Sequence, residues 1–223
     1  MALSRVLEPE VMDTPNEAHD YDTMDHSHVN RTMVDDLLAE IENPADVLDL
    51  GTGTALIPIE LCQRRENCRV MAIDLSIHML ERAQFNVEMA SLIDRIQLGQ
   101  VDSKQLPYRD EMFDVVMSNS IIHHIPQPVV VLREAVRVTV GGGLLFFRDL
   151  LRPDNEADVQ SLVAAYAGQE NGHQQQMFND SLRAALSLAE VQDLVELLGF
   201  ARDTVQATSD RHWTWAVRRD GPQ

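Results

Sequence analysis

Apolar and polar positions along the 223 residues alternate between short hydrophobic runs and longer stretches with helical spacing. Over 29–41 the apolar residues Val29, Met33, Leu37, Leu38 and Ile41 recur every three or four positions, which predicts a helix that Asn43-Pro44 ends. Val47-Leu48-Asp49-Leu50 then predicts a buried strand. Gly51-Thr52-Gly53 turns it directly into a helical pattern over 55–66, with Pro58 in the first turn, where a missing N–H costs little. Residues 69–75 predict a second strand, 77–90 a helix, 95–101 a third strand and 113–119 a fourth. A helix opened by Pro126 and Pro128 runs through Thr139, Gly141-Gly142-Gly143 turns the chain, and 144–147 form a fifth strand. Strands that alternate with helices imply βαβ units and a parallel sheet covered on both faces, hence an α/β fold.

Beyond the fifth strand Arg152-Pro153 breaks the pattern, and 156–167 reads as a helix. Residues 168–178, with Gly172 and Gln174-Gln175-Gln176, read as a polar loop, and Asn179-Asp180-Ser181 caps a short helix to Leu186. A helix over 187–198 stops at Gly199, and 200–208 and 211–217 read as two closing strands. Trp213 and Trp215 share a face of the last strand and are expected in the core or an interface. Residues 1–27 read as an irregular or partly helical arm. The chain is therefore expected to divide into an arm and helix over 1–44, a candidate lid, and a domain over 45–223 with a substrate-side insertion at about 150–187.

A chain of this length buries roughly 70% of its unfolded surface without staples, so Cys62 and Cys68 are expected as reduced thiols in a cytoplasmic protein. No leader pattern opens the chain and no apolar run is long enough to span a membrane, so neither secretion nor a membrane span is expected. A net charge of -18 repels phosphate backbones, which argues against nucleic acid as partner and for a small-molecule substrate. A monomer or homodimer is expected. Histidines and carboxylates crowd residues 20–28, but their spacing matches no known site, so no metal is expected.

In open parallel sheets the ligand lies outside the carboxyl ends of the strands, where Asp49, Asp74, Asp102, Asn119 and Arg148 all fall. Gly51 and Gly53 have no Cβ, so a ligand can lie against the backbone there. Asp74 follows Gly51 by 23 residues, the offset at which a carboxylate on strand two accepts hydrogen bonds from a ribose, and it also precedes a helix that it or Ser76 can cap. A dinucleotide fingerprint needs a glycine or alanine at position 56, where Leu56 stands, and Glu170 takes the place of the lysine that short-chain dehydrogenases have four residues after a tyrosine such as Tyr166.

Over roughly residues 45–150 these features resemble the class I S-adenosylmethionine-dependent methyltransferases, in particular the small ones related to quinone biosynthesis. Asp49-Leu50-Gly51-Thr52-Gly53-Thr54-Ala55 is similar to that family's acidic glycine-rich loop beside the methionine half of the cofactor, with Ala55 in place of the third glycine. The resemblance implies that Asp74 holds the ribose and Leu75 meets the adenine. It puts Asp102 and Ser103 beside the adenine edge, and Ser118 and Asn119 along the methionine and sulfonium. It further implies a Rossmann-like, doubly wound seven-stranded sheet of order 3-2-1-4-5-7-6, strand 7 antiparallel, with S-adenosyl-L-methionine as cofactor and S-adenosyl-L-homocysteine as product.

Acceptor-side candidates are His123 and His124, whose neutral imidazoles can accept a proton, and Arg148, whose guanidinium can bind an anion. Tyr21, Arg31, Asp149 and Arg183 are candidate substrate contacts. In place of the Asn/Asp-Pro-Pro-aromatic motif of amine-gripping relatives the chain has Ser118-Asn119-Ser120-Ile121, which points to a small-molecule acceptor. The expected activity is methyl transfer by in-line displacement. The alternatives are a non-catalytic cofactor-binding sensor or scaffold and an NAD(P)-dependent oxidoreductase.

Overall fold

The computed structural model describes residues 3–8, Thr14, Asp22 and 27–220. Its strands form one seven-stranded sheet of order β3-β2-β1-β4-β5-β7-β6, with β6 and β7 antiparallel, as expected. Elements follow in the order α1 (Ser27–Glu40), β1 (Asp46–Leu50), α2 (Leu56–Arg64), β2 (Arg69–Asp74), α3 (Ile77–Met89), β3 (Ile96–Gln100) and β4 (Phe113–Asn119). A 3-10 turn (Ile122–His124) leads to α4 (Pro128–Val138), β5 (Thr139–Leu150), α5 (Glu156–Tyr166), α6 (Gly172–Ala184) and α7 (Leu188–Leu197). A second 3-10 turn (Arg202–Thr204), β6 (Val205–Ala207) and β7 (His212–Arg218) close the chain.

Two compact units share these elements: one comprises Val11–Asn119, Val129–Phe147 and Ala216–Gln223, the other Met1–Glu10, Ser120–Pro128 and Arg148–Trp215. In the first, β1 pairs in parallel with β2 and β4, so that Val47 lies between Val70 and Val115 and Asp49 between Ala72 and Met117. The β-branched and aliphatic runs of the central strands β1 and β4 are buried on both faces, which is why they read as continuous rather than alternating. Met33, Val34 and Leu37 bring α1 into the same core, with Ile59, Leu61 and Cys62 from α2 and Ala83 and Val87 from α3. In the second unit Leu150, Val159, Leu182 and Ala185 form a smaller core against which Leu3, Leu162 and Phe178 pack. Trp213 and Trp215 are fully buried, and Phe200 meets Trp215 edge to face at 5.3 Å.

Four expectations are corrected. The polar stretch 168–178 is no loop: α6 starts at Gly172 and runs through the expected cap Asn179-Asp180-Ser181. Its cap is Asn171, whose side chain accepts from His173 and Gln174 N–H while the Gln174 side chain accepts from Asn171 N–H, a reciprocal box that satisfies the first-turn donors. Gly141-Gly142-Gly143 lies inside β5, because Gly142 N–H and Gly143 C=O both pair with Arg219 and a Cβ on Gly143 would sit 2.8 Å from Thr139 Cγ2. Of the strand expected at 200–208 only Val205–Ala207 is extended, since Thr204 folds back on the Ala201 carbonyl through both its N–H and its hydroxyl. Ala55 does not start the helix. It sits before Leu56 with φ 62°, in the left-handed region, as the third positive-φ residue of the turn after Gly51 and Gly53.

Candidate active site

The turn after β1 is built from its backbone. Gly51 and Gly53 have φ of 68° and 55°, a region that glycine enters without a Cβ penalty. Thr52 N–H donates to the Ile73 carbonyl at 2.8 Å, which ties the turn to the end of β2. From that same end Asp74 reaches back: Oδ2 accepts from Gly53 N–H and Oδ1 from Ser76 N–H, both at 2.9 Å. Each oxygen of a carboxylate has two lone pairs, so Asp74 retains acceptor capacity for a hydroxyl donor. Burial raises its pKa above the ordinary value, against the three backbone N–H bonds that favour the charge. Ser76 is the N-cap of α3, accepting from Met79 N–H at 3.3 Å. The helix-capping task thus falls to Ser76, and Asp74 orders the glycine turn.

Asp49 is almost wholly buried at the head of this turn, and burial pushes its carboxyl up to about 7. A small, partly open cleft lies here, lined by Asn30, Asp49, Gly51, Thr52, Thr54, Leu56, Ile57 and Asn119. Asn30, on α1, is a lining residue that nothing in the local sequence marks, whereas its neighbour Arg31 is exposed. Leu75, at 38% exposure, presents an apolar face just past Asp74. Asp102 accepts from Lys104 N–H at 2.9 Å and pairs with the Lys104 ammonium at 3.2 Å, and Ser103 beside it is half-buried. Ser118 turns away: its hydroxyl donates to the Leu50 carbonyl at 3.0 Å and fastens β4 to β1.

These groups fit the cofactor that the glycine loop implies. A free carboxylate capacity sits at the tip of β2, an apolar face follows it, and a second, buried carboxyl beside a cradle of positive-φ glycines suits a ligand that carries positive charge.

The second unit holds a different constellation. His123 is 3% exposed, and its Nδ1 lies 2.5 Å from Asp149 Oδ1. Asp149 is fully buried and also accepts from Ile122 and His123 N–H through Oδ2 and from Leu150 N–H through Oδ1. Expected as a substrate contact, it is saturated by its neighbours and orients His123 instead. Burial pulls the imidazolium pKa down, but the charge and hydrogen bond of Asp149, and then Glu8, outweigh it and hold His123 above its ordinary value. Burial likewise lifts Asp149, and the charge and hydrogen bond of His123 bring it below the ordinary carboxylate range.

Glu8 completes this group from the far end of the chain: Oε1 is 3.4 Å from His123 Nε2 and 3.2 Å from His124 Nδ1, and Oε2 accepts from the Ser181 hydroxyl at 3.3 Å. Burial raises its carboxyl. Arg5 fixes the approach by donating to the Ala184, His123 and Ile125 carbonyls at 2.7–3.1 Å. Neither Arg5 nor Glu8 carries a signal in its local sequence, because their partners lie more than a hundred residues away. Arg148 is buried and donates through Nε to the Thr214 hydroxyl at 3.0 Å. Arg183 is held on α6 by Asn179 and by Glu156 of α5. Tyr21 lies outside the described residues.

Residues 48–147 match a family described as a methyltransferase domain. The chain is 29% identical over 177 residues to the 27-O-demethylrifamycin SV methyltransferase of Amycolatopsis mediterranei, which covers 78% of this chain and 61% of that protein. It is 35% identical over 83 residues to a tRNA1(Val) (adenine(37)-N6)-methyltransferase of Haemophilus influenzae, covering 36% of each. The chain thus spans between about a third and two thirds of the length of these relatives. Among solved structures, a SAM-dependent methyltransferase from Aquifex aeolicus superposes with a TM-score of 0.67 over 92% of this chain and 98% of that one, at 18% identity, which bears on the fold alone. The sheet order, the glycine turn and these matches together make the chain similar to the class I S-adenosylmethionine-dependent methyltransferases, with the methyltransferase-domain match lying over residues 48–147.

Proposed function

We propose that the chain transfers a methyl group from S-adenosylmethionine to a nucleophilic atom of a small, polar or anionic molecule. The observation that carries this reading is Asp74, which orders the glycine turn through Gly53 and keeps acceptor capacity at the tip of β2. The bound cofactor supplies a methyl already activated on a sulfonium. The residues around it therefore have to bind, align and exclude water, and alignment for in-line displacement supplies about 7–11 kcal/mol in favourable cases. Asp49, Gly51, Thr52, Gly53 and Asn119 hold the methionine end, Asp74 the ribose, and Leu75, Asp102 and Ser103 the adenine. His123, His124 and Arg148 are assigned to the acceptor side, with Asp149 keeping His123 in register and the segment over 150–187 selecting the substrate.

Support for a small acceptor comes from the net charge of -18, which disfavours a polyanion, and from the rifamycin relative, whose name specifies a small molecule. A cytoplasmic monomer or homodimer goes with this reading. Titration calorimetry with S-adenosylmethionine and S-adenosylhomocysteine tests it first: stoichiometric binding that Asp74→Ala abolishes is expected, and absence of binding to both would sink it. A screen for transfer of labelled methyl to small molecules of a cell extract comes second. Binding with no transfer to any compound would instead favour a cofactor sensor.

A further inference from the structure

We propose that Glu8, His123 and His124 form a site for a divalent transition-metal ion, zinc foremost, with three protein ligands and at least one open position. One potential ligand atom from each of Glu8, His123 and His124 lies within 4.8 Å of the other two. Glu8 Oε1 is 3.4 Å from His123 Nε2 and 3.2 Å from His124 Nδ1. Ligands about 2.0–2.1 Å from a tetrahedral zinc stand about 3.3–3.4 Å apart, so both of these separations already have the required span.

The hydrogen-bond geometry points the same way. Asp149 takes the Nδ1 side of His123, which leaves Nε2 facing Glu8 Oε1. Glu8 Oε1 is buried and makes no hydrogen bond, although two ring nitrogens are within 3.4 Å. A buried carboxylate oxygen without a hydrogen bond, facing two imidazoles, is a donor set that a cation at its centre would satisfy. Two imidazoles and one carboxylate are the donor set of open zinc sites and of related first-row ions, whereas magnesium and calcium take oxygen.

The supporting bonds of a metal site are also in place. A ligating histidine ordinarily gives its other ring N–H to a carboxylate, which fixes its tautomer and raises its basicity, and Asp149 does this for His123 at 2.5 Å. Ser181 restrains the second oxygen of Glu8 at 3.3 Å, and the three carbonyl contacts of Arg5 hold residues 3–8 in reach. A bound ion would clasp this N-terminal segment to the 3-10 turn and leave a coordination position for an oxygen donor. The inference uses the imidazoles that the proposed function assigns to the acceptor side, but it does not depend on cofactor binding.

The full chain, freed of any tag and treated with chelator, would be titrated with Zn²⁺ by calorimetry and with Co²⁺ by visible absorption, which reports nitrogen and oxygen coordination directly. One equivalent is expected to bind, to raise the melting temperature, and to be weakened at least tenfold by Glu8→Gln and by His124→Ala. Asp149→Asn is expected to lose about 10–100-fold, the usual effect of removing a carboxylate behind a ligating histidine. Glu8→Gln keeps shape and hydrogen-bonding capacity, so it carries the test if His124→Ala fails to fold. No stoichiometric uptake by the wild-type chain would overturn the proposal. Equal uptake by Glu8→Gln and wild type would also overturn it, by placing the ion on other histidines. S-adenosylhomocysteine titrated into the same samples separates the two readings: metal uptake without nucleoside binding would remove the methyltransferase function and leave the metal site standing.

Discussion

The glycine turn and the imidazole cluster are both built around a buried carboxylate that accepts backbone N–H bonds, yet they arise from the chain in opposite ways. Around the turn every partner comes from two neighbouring strand ends: Asp74 accepts from Gly53 and Ser76, and Thr52 donates to Ile73. In the cluster Asp149 gathers a turn 26 residues earlier in the sequence, and Glu8 arrives from 115 residues before His123. The first carboxylate keeps unused acceptor capacity, whereas the second is saturated and fully buried. A binding site needs spare capacity. A positioning group needs none, and its burial makes it costly to remove.

That difference sets the largest expected effect. Asp149→Ala leaves His123 buried without its counter-charge and three N–H groups without an acceptor, and removal of one partner from a buried pair costs about 3–5 kcal/mol. Denaturant unfolding should show a loss of that size, with S-adenosylhomocysteine affinity unchanged at temperatures where the variant is folded. Loss of cofactor affinity in a folded Asp149→Ala chain would mean that the two constellations are energetically one.

Asp74→Ala is expected to do the reverse. A charge-assisted hydrogen bond to a ribose, at about 1.5–3 kcal/mol, corresponds to a loss of about 10- to 100-fold in cofactor affinity. Calorimetry measures it, and Asp74→Asn sharpens it, because the amide oxygen still accepts from Gly53 while the charge is gone. If both variants bind S-adenosylhomocysteine as the wild type does, Asp74 is a cap for the turn and nothing more.

The two regions also differ in how plainly the chain announces them. The turn was legible because its signals are short-range: Gly51 and Gly53 at positive φ, Leu56 against a dinucleotide helix, and a carboxylate at the next strand end. The strands are likewise legible as apolar runs, whereas their order in the sheet is what the family resemblance implied. His123 and Arg148 could be picked out only as residues at strand ends, and nothing within ten residues of Glu8 shows that it meets His123 and His124. Gly141-Gly142-Gly143 read as a turn because local glycine preference cannot see Arg219, the distant residue that supplies its ladder bonds. Helix α6 was hidden for another reason. Its first turn is all polar, so it lacks the apolar period by which a helix is recognised until Phe178 and Leu182 enter the smaller core.

A titration separates the regions further. Asp49 holds its proton to about 7 in the folded chain, whereas an unfolded aspartate releases it near 4. Between those values the folded state binds more protons, so this group makes stability fall as pH rises, by up to about 1.4 kcal/mol per pH unit. Asp49→Asn should remove that slope between pH 4 and 7. His123 acts in a higher window: its raised pKa stabilises the fold below the ordinary histidine value, and that contribution disappears as pH climbs through the folded value. Denaturant unfolding of wild type and Asp49→Asn across pH 4 to 9 would show the two slopes separately. An unchanged slope in the variant between 4 and 7 would mean that Asp49 ionises normally.

The smallest effect concerns the helix that supports the cluster. Asn171 accepts from two N–H groups of the first turn of α6, and Gln174 returns a bond to its backbone. Asn171→Ala should cost about 1 kcal/mol, within the 0.5–2 that N-caps contribute, and Asn171→Ser should recover most of it. Because α6 carries Ser181, the residue that restrains Glu8, fraying at its N-terminus has ten residues over which to die out before it reaches the cluster. Hydrogen exchange should therefore quicken at residues 172–176 in Asn171→Ala and leave Leu182 and Ala185, in the smaller core, protected. Exchange that quickens along the whole of α6 would show that this helix opens as a unit, and the support of Glu8 would then depend on a cap ten residues away.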